Sequence, residues 1–242
     1  MPSVTAIVPT CNRHALLKRA LRSIAAQELF PFEVIVIDDG DEANRFLTHA
    51  AAEQSGLKNI LVVANSHAKG ASGARNTGAE LATGELVAFL DDDDEWLPSY
   101  LSQAVGHCNW SELDVICTPL LCQFEDGIDR LAKSAPDYLA TELFLTRNPG
   151  LGGLNLIIRR SLYRDIGGFD ESLPSCDDLD LGIIEPARSC QVPEPPATAR
   201  ALPSAHGTKT EYSCQRVDAG RHLPLLRTSR TSHDCGATST VP

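Results

Sequence analysis

Four adjacent carboxylates, Asp91-Asp92-Asp93-Asp94, follow directly on the apolar run 85–90 (ELVAFL). Four anions side by side repel one another, so a fold must either neutralise them or keep them wet. In extended backbone alternate side chains share a face, so Asp91 and Asp93 are expected to converge on one cation while Asp92 and Asp94 point elsewhere. Hard oxygen ligands suit Mg²⁺ or Mn²⁺, held by one or two carboxylates and by phosphate oxygens of a substrate. A calcium loop of the EF-hand type does not fit, because the sixth position from Asp91 is Trp96 and the twelfth is Ser102. A solvated acidic loop is the competing account, and the placement after a strand-like run weighs against it.

Three further groups carry chemistry. Asp38-Asp39-Gly40 closes the run 32–37 (FEVIVI), where a carboxylate can accept hydrogen bonds from a base N–H or ribose hydroxyls; Asp-Gly is also ordinary turn chemistry. The segment 69–76 (KGASGARN) lets backbone approach a ligand closely, and Arg75 could pair with phosphate. Its glycines match neither phosphate-loop pattern, and taken by itself the segment is better accounted for by helix packing. The run 176–181 (CDDLDL), preceded by 167–171 (GGFDE), offers a carboxylate as general base toward a hydroxyl. The plainer account of that run is an acidic helix start that complements the macrodipole.

The elements that must position these groups alternate. Residues 4–8 form a short β-branched run closed by Pro9, after which Asn12 is placed to cap a helix carrying Leu16, Leu17, Ala20, Leu21 and Ile24. Residues 32–37, 60–63 and 85–90 read as further strands and 70–82 as a helix rich in small residues. More strands are expected between about 113 and 160. Apolar strands separated by helices predict an α/β fold with a mostly parallel central sheet covered on both faces. The polar clusters sit where strands one, two and four finish, at the carboxyl edge where such sheets bind ligands.

Composition bounds the function. The 242 residues, 43% hydrophobic and 22% charged, suit a globular α/β domain. A net charge of −11 argues against nucleic acid as a partner, since such binders need basic surface. No stretch approaches the roughly 20 apolar residues that span a bilayer, and the start of the chain lacks a cleavable signal pattern, so a cytoplasmic location is expected. The eight cysteines are scattered without a C-x-x-C pair, which suggests reduced thiols. Residues 1–185 hold 14 basic against 28 acidic side chains, and 186–242 hold 7 against 4, with 7 of the 15 prolines. The expected organisation is a domain over 1–185 and an atypical tail over 186–242, too poor in apolar residues to order itself.

Taken together, these stretches resemble family 2 glycosyltransferases of the GT-A fold. The matching segments are 4–13 (VTAIVPTCNR), 32–40 (FEVIVIDDG), 69–98, 167–171 and 176–181, in order over about 180 residues. The resemblance implies a three-layer sandwich and an inverting transfer from a nucleoside-diphosphate sugar, UDP foremost, to a hydroxyl of a carbohydrate or glycolipid acceptor. It implies that Pro9, Thr10 and Asn12 edge the nucleotide pocket, that Asp39 holds the base, and that Arg75 lies near ribose or diphosphate. Asp91, Asp92 and Asp93 would form the D-x-D element, with Asp93, and Asp91 beside it, on Mn²⁺ or Mg²⁺. Asp92 or Asp91 would lie against the ribose, and Asp178 would be the catalytic base, with Asp177 in place of the family's Glu. Peripheral association with a membrane is compatible with such an acceptor. After 176–181 the family pattern breaks at Pro186, which suggests a shifted or truncated reading frame; a catalytically impaired nucleotide-binding remnant is therefore the alternative. A sugar-nucleotide pyrophosphorylase would need a glycine-rich basic loop after strand one, and 9–13 (PTCNR) is not one.

Overall fold

The computed structural model describes residues 1–107, 113–118, 120–123, 129–131, 152–173 and 199–201. Four strands come first in parallel: β1 (Val4–Thr10), β2 (Glu33–Asp38), β3 (Ile60–Ala64) and β4 (Leu86–Phe89). They lie in a six-stranded sheet of order β3-β2-β1-β4-β9-β6, completed by β6 (Val115–Cys117) and β9 (Leu156–Arg159). β9 runs antiparallel to both its neighbours, so the sheet is mostly parallel with one reversed strand.

Alternation along buried strands builds the two cores. Ala6, Val8, Val34, Val36, Leu86 and Ala88 face α1 (His14–Ala25), α2 (Arg45–Glu53) and α4 (Tyr100–His107), with Trp96 stacked on Tyr100 at 4.8 Å. Ile7, Ile35, Ile37, Val87 and Phe89 face α3 (Ala71–Leu81) and α5 (Arg160–Asp165). This is the expected three-layer arrangement. α1 buries Leu17, Ala20, Leu21 and Ile24, the stripe its periodicity predicts, and each such leucine or isoleucine contributes roughly 1.5–3 kcal/mol. α3 is buried from Gly73 to Ala79, because its small residues let it settle closely on β1 and β2.

A second sheet has the order β5-β10-β7-β8, formed by β5 (Asp94–Trp96), β7 (Leu120–Gln123), β8 (Asp129–Leu131) and β10 (Ala199–Ala201). β10 consists of the described residues of the 186–242 segment. Among the described residues no helix is long and apolar enough to cross a membrane.

Two local expectations differ from the structure. Asn12 does not cap α1: it sits at φ 54, and the helix begins at His14 after Arg13. Its side chain instead exchanges hydrogen bonds with Asp41, with Nδ2 donating to Oδ2 at 3.2 Å and Oδ1 accepting from the Asp41 N–H at 3.2 Å. Cys11 is disulfide-bonded, where scattered cysteines had suggested reduced thiols.

Candidate functional site

The carboxyl ends of β1, β2 and β4 gather the polar residues that the sequence singles out. The chain leaves β4 in a tight turn, with the Asp94 N–H donating to the Asp91 carbonyl at 3.1 Å. The turn replaces the extended backbone assumed above and changes which acids meet. Oxygens of Asp91, Asp93 and Asp94 lie within 4.8 Å of one another. Asp94, expected to point elsewhere, thus joins the cluster. Asp92 does turn away.

Asp92 is fully buried. Thr10 Oγ1 donates to its Oδ2 at 2.7 Å, and the Arg13 guanidinium grips both oxygens, Nη2 to Oδ1 at 2.5 Å and Nε to Oδ2 at 3.1 Å. Burial raises the carboxyl to about 7; Arg13 and Thr10 oppose the rise, and the neighbouring Asp93 and Asp91 add to it. Asp92 and Thr10 therefore brace the loop from beneath, and neither presents a free surface to a ligand. Arg13 Nη1 also reaches Asp93 Oδ2 at 3.4 Å, while Arg19 Nη2 donates to the Asp93 carbonyl at 3.1 Å. Two arginines of α1 and its approach offset the acidic run. The sequence signal for Arg13 was only its place three residues after Thr10.

Arg75 comes from α3 and is 6% exposed. Its Nη2 donates to Asp91 Oδ1 at 2.7 Å, and its guanidinium lies over the Phe169 ring, 5.2 Å from the centroid. Gly153 closes on the same guanidinium: a Cβ there would fall 2.5 Å from Arg75 Nη2. Gly153 had no sequence signal that could have placed it here, and Phe169 lies in the matching segment 167–171, where nothing local pointed to Arg75. The contact fixes one carboxylate of the acidic cluster through a charge-assisted bond.

Phe169 is held by Asn76, the neighbour of Arg75. Asn76 Nδ2 donates to the Phe169 carbonyl at 2.9 Å and to Glu171 Oε1 at 2.7 Å. Its Oδ1 accepts from the Phe169 N–H at 3.0 Å and from the Tyr163 hydroxyl at 2.5 Å. The Gly167-Gly168 pair makes this approach possible, with φ of 85 and 74. A Cβ on Gly168 would meet Asn76 Oδ1 at 2.5 Å.

Asp39 is half-buried at the end of β2. Asn65 Nδ2 donates to its Oδ1 and the Gly70 N–H to its Oδ2, each at 2.8 Å. Its neighbour Asp38 is buried and occupied by Thr48 and the Gly40 N–H, so Asp39 is the acid that faces outward. Pro9 is buried in the end of β1, and Asn12 is exposed beside it. Asp91, Asp93, Asp94, Arg75, Thr10 and Asp92 thus meet at one edge, with Asp39 and Asn12 at the ends of the adjoining strands. Asp177 and Asp178 lie outside the described residues.

The carboxylate cluster fits a hard divalent cation: three oxygen donors sit in mutual reach. Acids and small residues at strand ends can together hold a diphosphate through such an ion and a base or ribose through Asp39.

Comparison with known proteins follows the same line. The family model described as glycosyl transferase family 2 matches residues 5–167. A GalNAc(5)-diNAcBac-PP-undecaprenol beta-1,3-glucosyltransferase of Campylobacter jejuni is 37% identical over 45% of this chain and 35% of its own length. Among solved structures, TarS 1–349 of S. aureus in complex with UDP-GlcNAc superposes with a TM-score of 0.65 at 23% identity, over 84% of this chain and 59% of that one. The mannosyltransferase PcManGT of Pyrobaculum calidifontis, in complex with GDP-Man and Mn²⁺, gives 0.63 at 24% identity, over 85% and 58%. The chain spans from 35% to 59% of the length of the first three curated relatives it matches.

Proposed function

Since the chain belongs to glycosyl transferase family 2, we propose that it transfers a sugar from a nucleoside-diphosphate sugar, UDP foremost, to a hydroxyl of a carbohydrate or glycolipid acceptor, with inversion. The observation that carries this reading is the convergence of Asp91, Asp93 and Asp94 at the end of β4, two strands from the outward-facing Asp39 at the end of β2. Related proteins support the substrate class: one is a glucosyltransferase acting on an undecaprenol-linked glycan by its name, and one neighbour holds UDP-GlcNAc.

Asp93 and Asp91, joined by Asp94, would hold Mn²⁺ or Mg²⁺; PcManGT is seen with Mn²⁺. When bound, such an ion neutralises charge on a diphosphate leaving group. The protein's own residues do the rest. Asp39 accepts hydrogen bonds from the base or ribose, and Asn12 and Pro9 edge that pocket. Arg75 keeps Asp91 oriented, and Arg13 with Thr10 keeps Asp92 anchored beneath the flanking acids. Asp178 is proposed as the base that takes the acceptor hydroxyl's proton. Acceptors linked to a lipid would bring the protein to a membrane surface from the cytoplasmic side.

Calorimetry of the full chain with UDP and Mn²⁺, followed by a donor-hydrolysis and transfer assay, tests this. Metal-dependent binding with turnover is expected. Binding without turnover would favour the impaired remnant, and no metal-dependent binding would overturn both. A nucleotide-sugar panel read by thermal shift would identify the donor, since a ligand specific to the native state raises the melting temperature.

A further inference from the structure

The metal-site reading leaves one group of residues unused: the turn at residues 65–70 and the Glu171 that meets it. Asn65 touches Asp39 through Nδ2 and also donates to the Ala68 carbonyl at 2.9 Å. Its Oδ1 accepts from the His67 N–H at 3.0 Å and from Thr77 Oγ1 at 2.7 Å. The turn is thereby internally stiff, and it ends at Gly70, whose N–H is on the other oxygen of Asp39. From outside, one residue seizes it. Glu171 Oε2 accepts from the Ala68 N–H at 2.9 Å, and Oε1 meets His67 Nδ1 at 2.6 Å.

His67 is held on both sides, since Nε2 lies 3.1 Å from Glu80 Oε1 on α3. Two ring nitrogens facing two carboxylates both act as donors only when the imidazole is charged. Those two acids are the charged groups that act on the ring. Glu80 first, and Glu171 against the cost of desolvation, raise the imidazole above its usual range. The Glu80 side chain is 66% exposed and water screens it, whereas Glu171 is 25% exposed and has other ties. Desolvation pushes the Glu171 carboxyl up, but hydrogen bonds from Asn76, Ala68 and His67 outweigh it and hold the group below its ordinary value. Glu171 stays ionised throughout the neutral range.

We propose that His67 and Glu171 form a clasp that positions Asp39 for the donor nucleotide, and that loss of the imidazole's second proton loosens the clasp and weakens nucleotide binding. This deepens the donor reading given above and rests on it. Both are positioning residues: they act on Asp39 through Asn65, Ala68 and Gly70. The direction follows from the charge state. A histidine raised on folding gives its stabilisation below its unfolded value and loses it as pH rises through the folded one. The clasp is closed in mild acid and opens as pH rises through the raised folded value.

The test is UDP binding to the full chain with Mn²⁺ by calorimetry across about pH 6 to 8.5, for the wild type, His67→Gln and Glu171→Gln. Titration of the diphosphate and hydrolysis of the metal are common to all three and cancel in ratios of Kd. The wild type is expected to lose about fivefold more affinity over that range than His67→Gln, a coupling of ordinary size. Glu171→Gln, which keeps the shape without the charge, is expected to flatten the profile likewise, and it carries the comparison if His67→Gln does not fold. Parallel profiles in all three proteins, with UDP bound, overturn the clasp and leave the donor reading standing. No UDP binding by the wild type at any pH overturns both.

Discussion

Asn76 offers the sharpest test of how the site is held together. Its amide gives two donors and one acceptor to four partners across 87 to 95 residues of sequence. Asn76→Ala leaves the Phe169 N–H and carbonyl, both in buried surroundings, without the partner they have now. At about 1–3 kcal/mol per buried group deprived of its partner, a loss of about 2–6 kcal/mol is expected. Asn76→Asp is nearly the same size and should be worse at pH 8. It would set a carboxylate oxygen where Nδ2 now lies, 2.9 Å from the Phe169 carbonyl and 2.7 Å from Glu171 Oε1. Burial and the Glu171 charge would lift the introduced carboxyl above its unfolded value. The sign is therefore that N76D is least destabilised in mild acid and loses stability as pH rises. Urea unfolding of wild type, N76A and N76D, followed by fluorescence of buried Trp96, measures this at pH 5 and pH 8. An N76D no less stable than N76A at pH 8, or losses below about 1 kcal/mol for both, would refute this account of the contact.

Other perturbations have equally definite outcomes. Gly168→Ala combines a positive φ with a Cβ 2.5 Å from Asn76 Oδ1, and should cost about 1–3 kcal/mol in urea unfolding. Gly153→Ala would push on Arg75 and is expected to weaken UDP–Mn²⁺ binding severalfold by calorimetry with only a small fall in melting temperature. Asp92 is raised from 3.8 to about 7 in the fold, so its ionisation opposes folding increasingly between about pH 4 and 7. The stability of Asp92→Asn relative to wild type should accordingly rise over that window; parallel pH–stability curves would contradict this.

The strands and the acidic run were legible because their signals are local. Residues 4–8, 32–37 and 85–90 are short apolar runs that end in polar residues, and each is a strand of the parallel sheet. The alternation of apolar strands with helices predicted a sheet covered on both faces, and alternate residues of β1, β2 and β4 do face opposite cores. Local geometry at the ends was harder. Whether residues 91–94 extend or turn depends on one hydrogen bond, from Asp94 to Asp91, and that bond decides that Asp94 joins the cluster. Asn12 has the right type for a cap, yet its left-handed backbone turns it to Asp41. Arg75 was visible as a cation near the site, but its partners Gly153 and Phe169 come from another part of the chain. The value of the 167–171 segment lay hidden for the same reason: Glu171 matters through His67 and Asn76, about a hundred residues before it.

The central claim is that Asp91, Asp93 and Asp94 hold a divalent cation through which the donor diphosphate binds. The most direct measurement is titration of UDP into wild type and Asp93→Asn, with Mn²⁺ and with chelator. The account predicts binding to the wild type that needs Mn²⁺ and falls at least tenfold in Asp93→Asn, while Asp93→Asn melts within a few degrees of wild type. UDP binding of equal strength in chelator, or unchanged in Asp93→Asn, would contradict it.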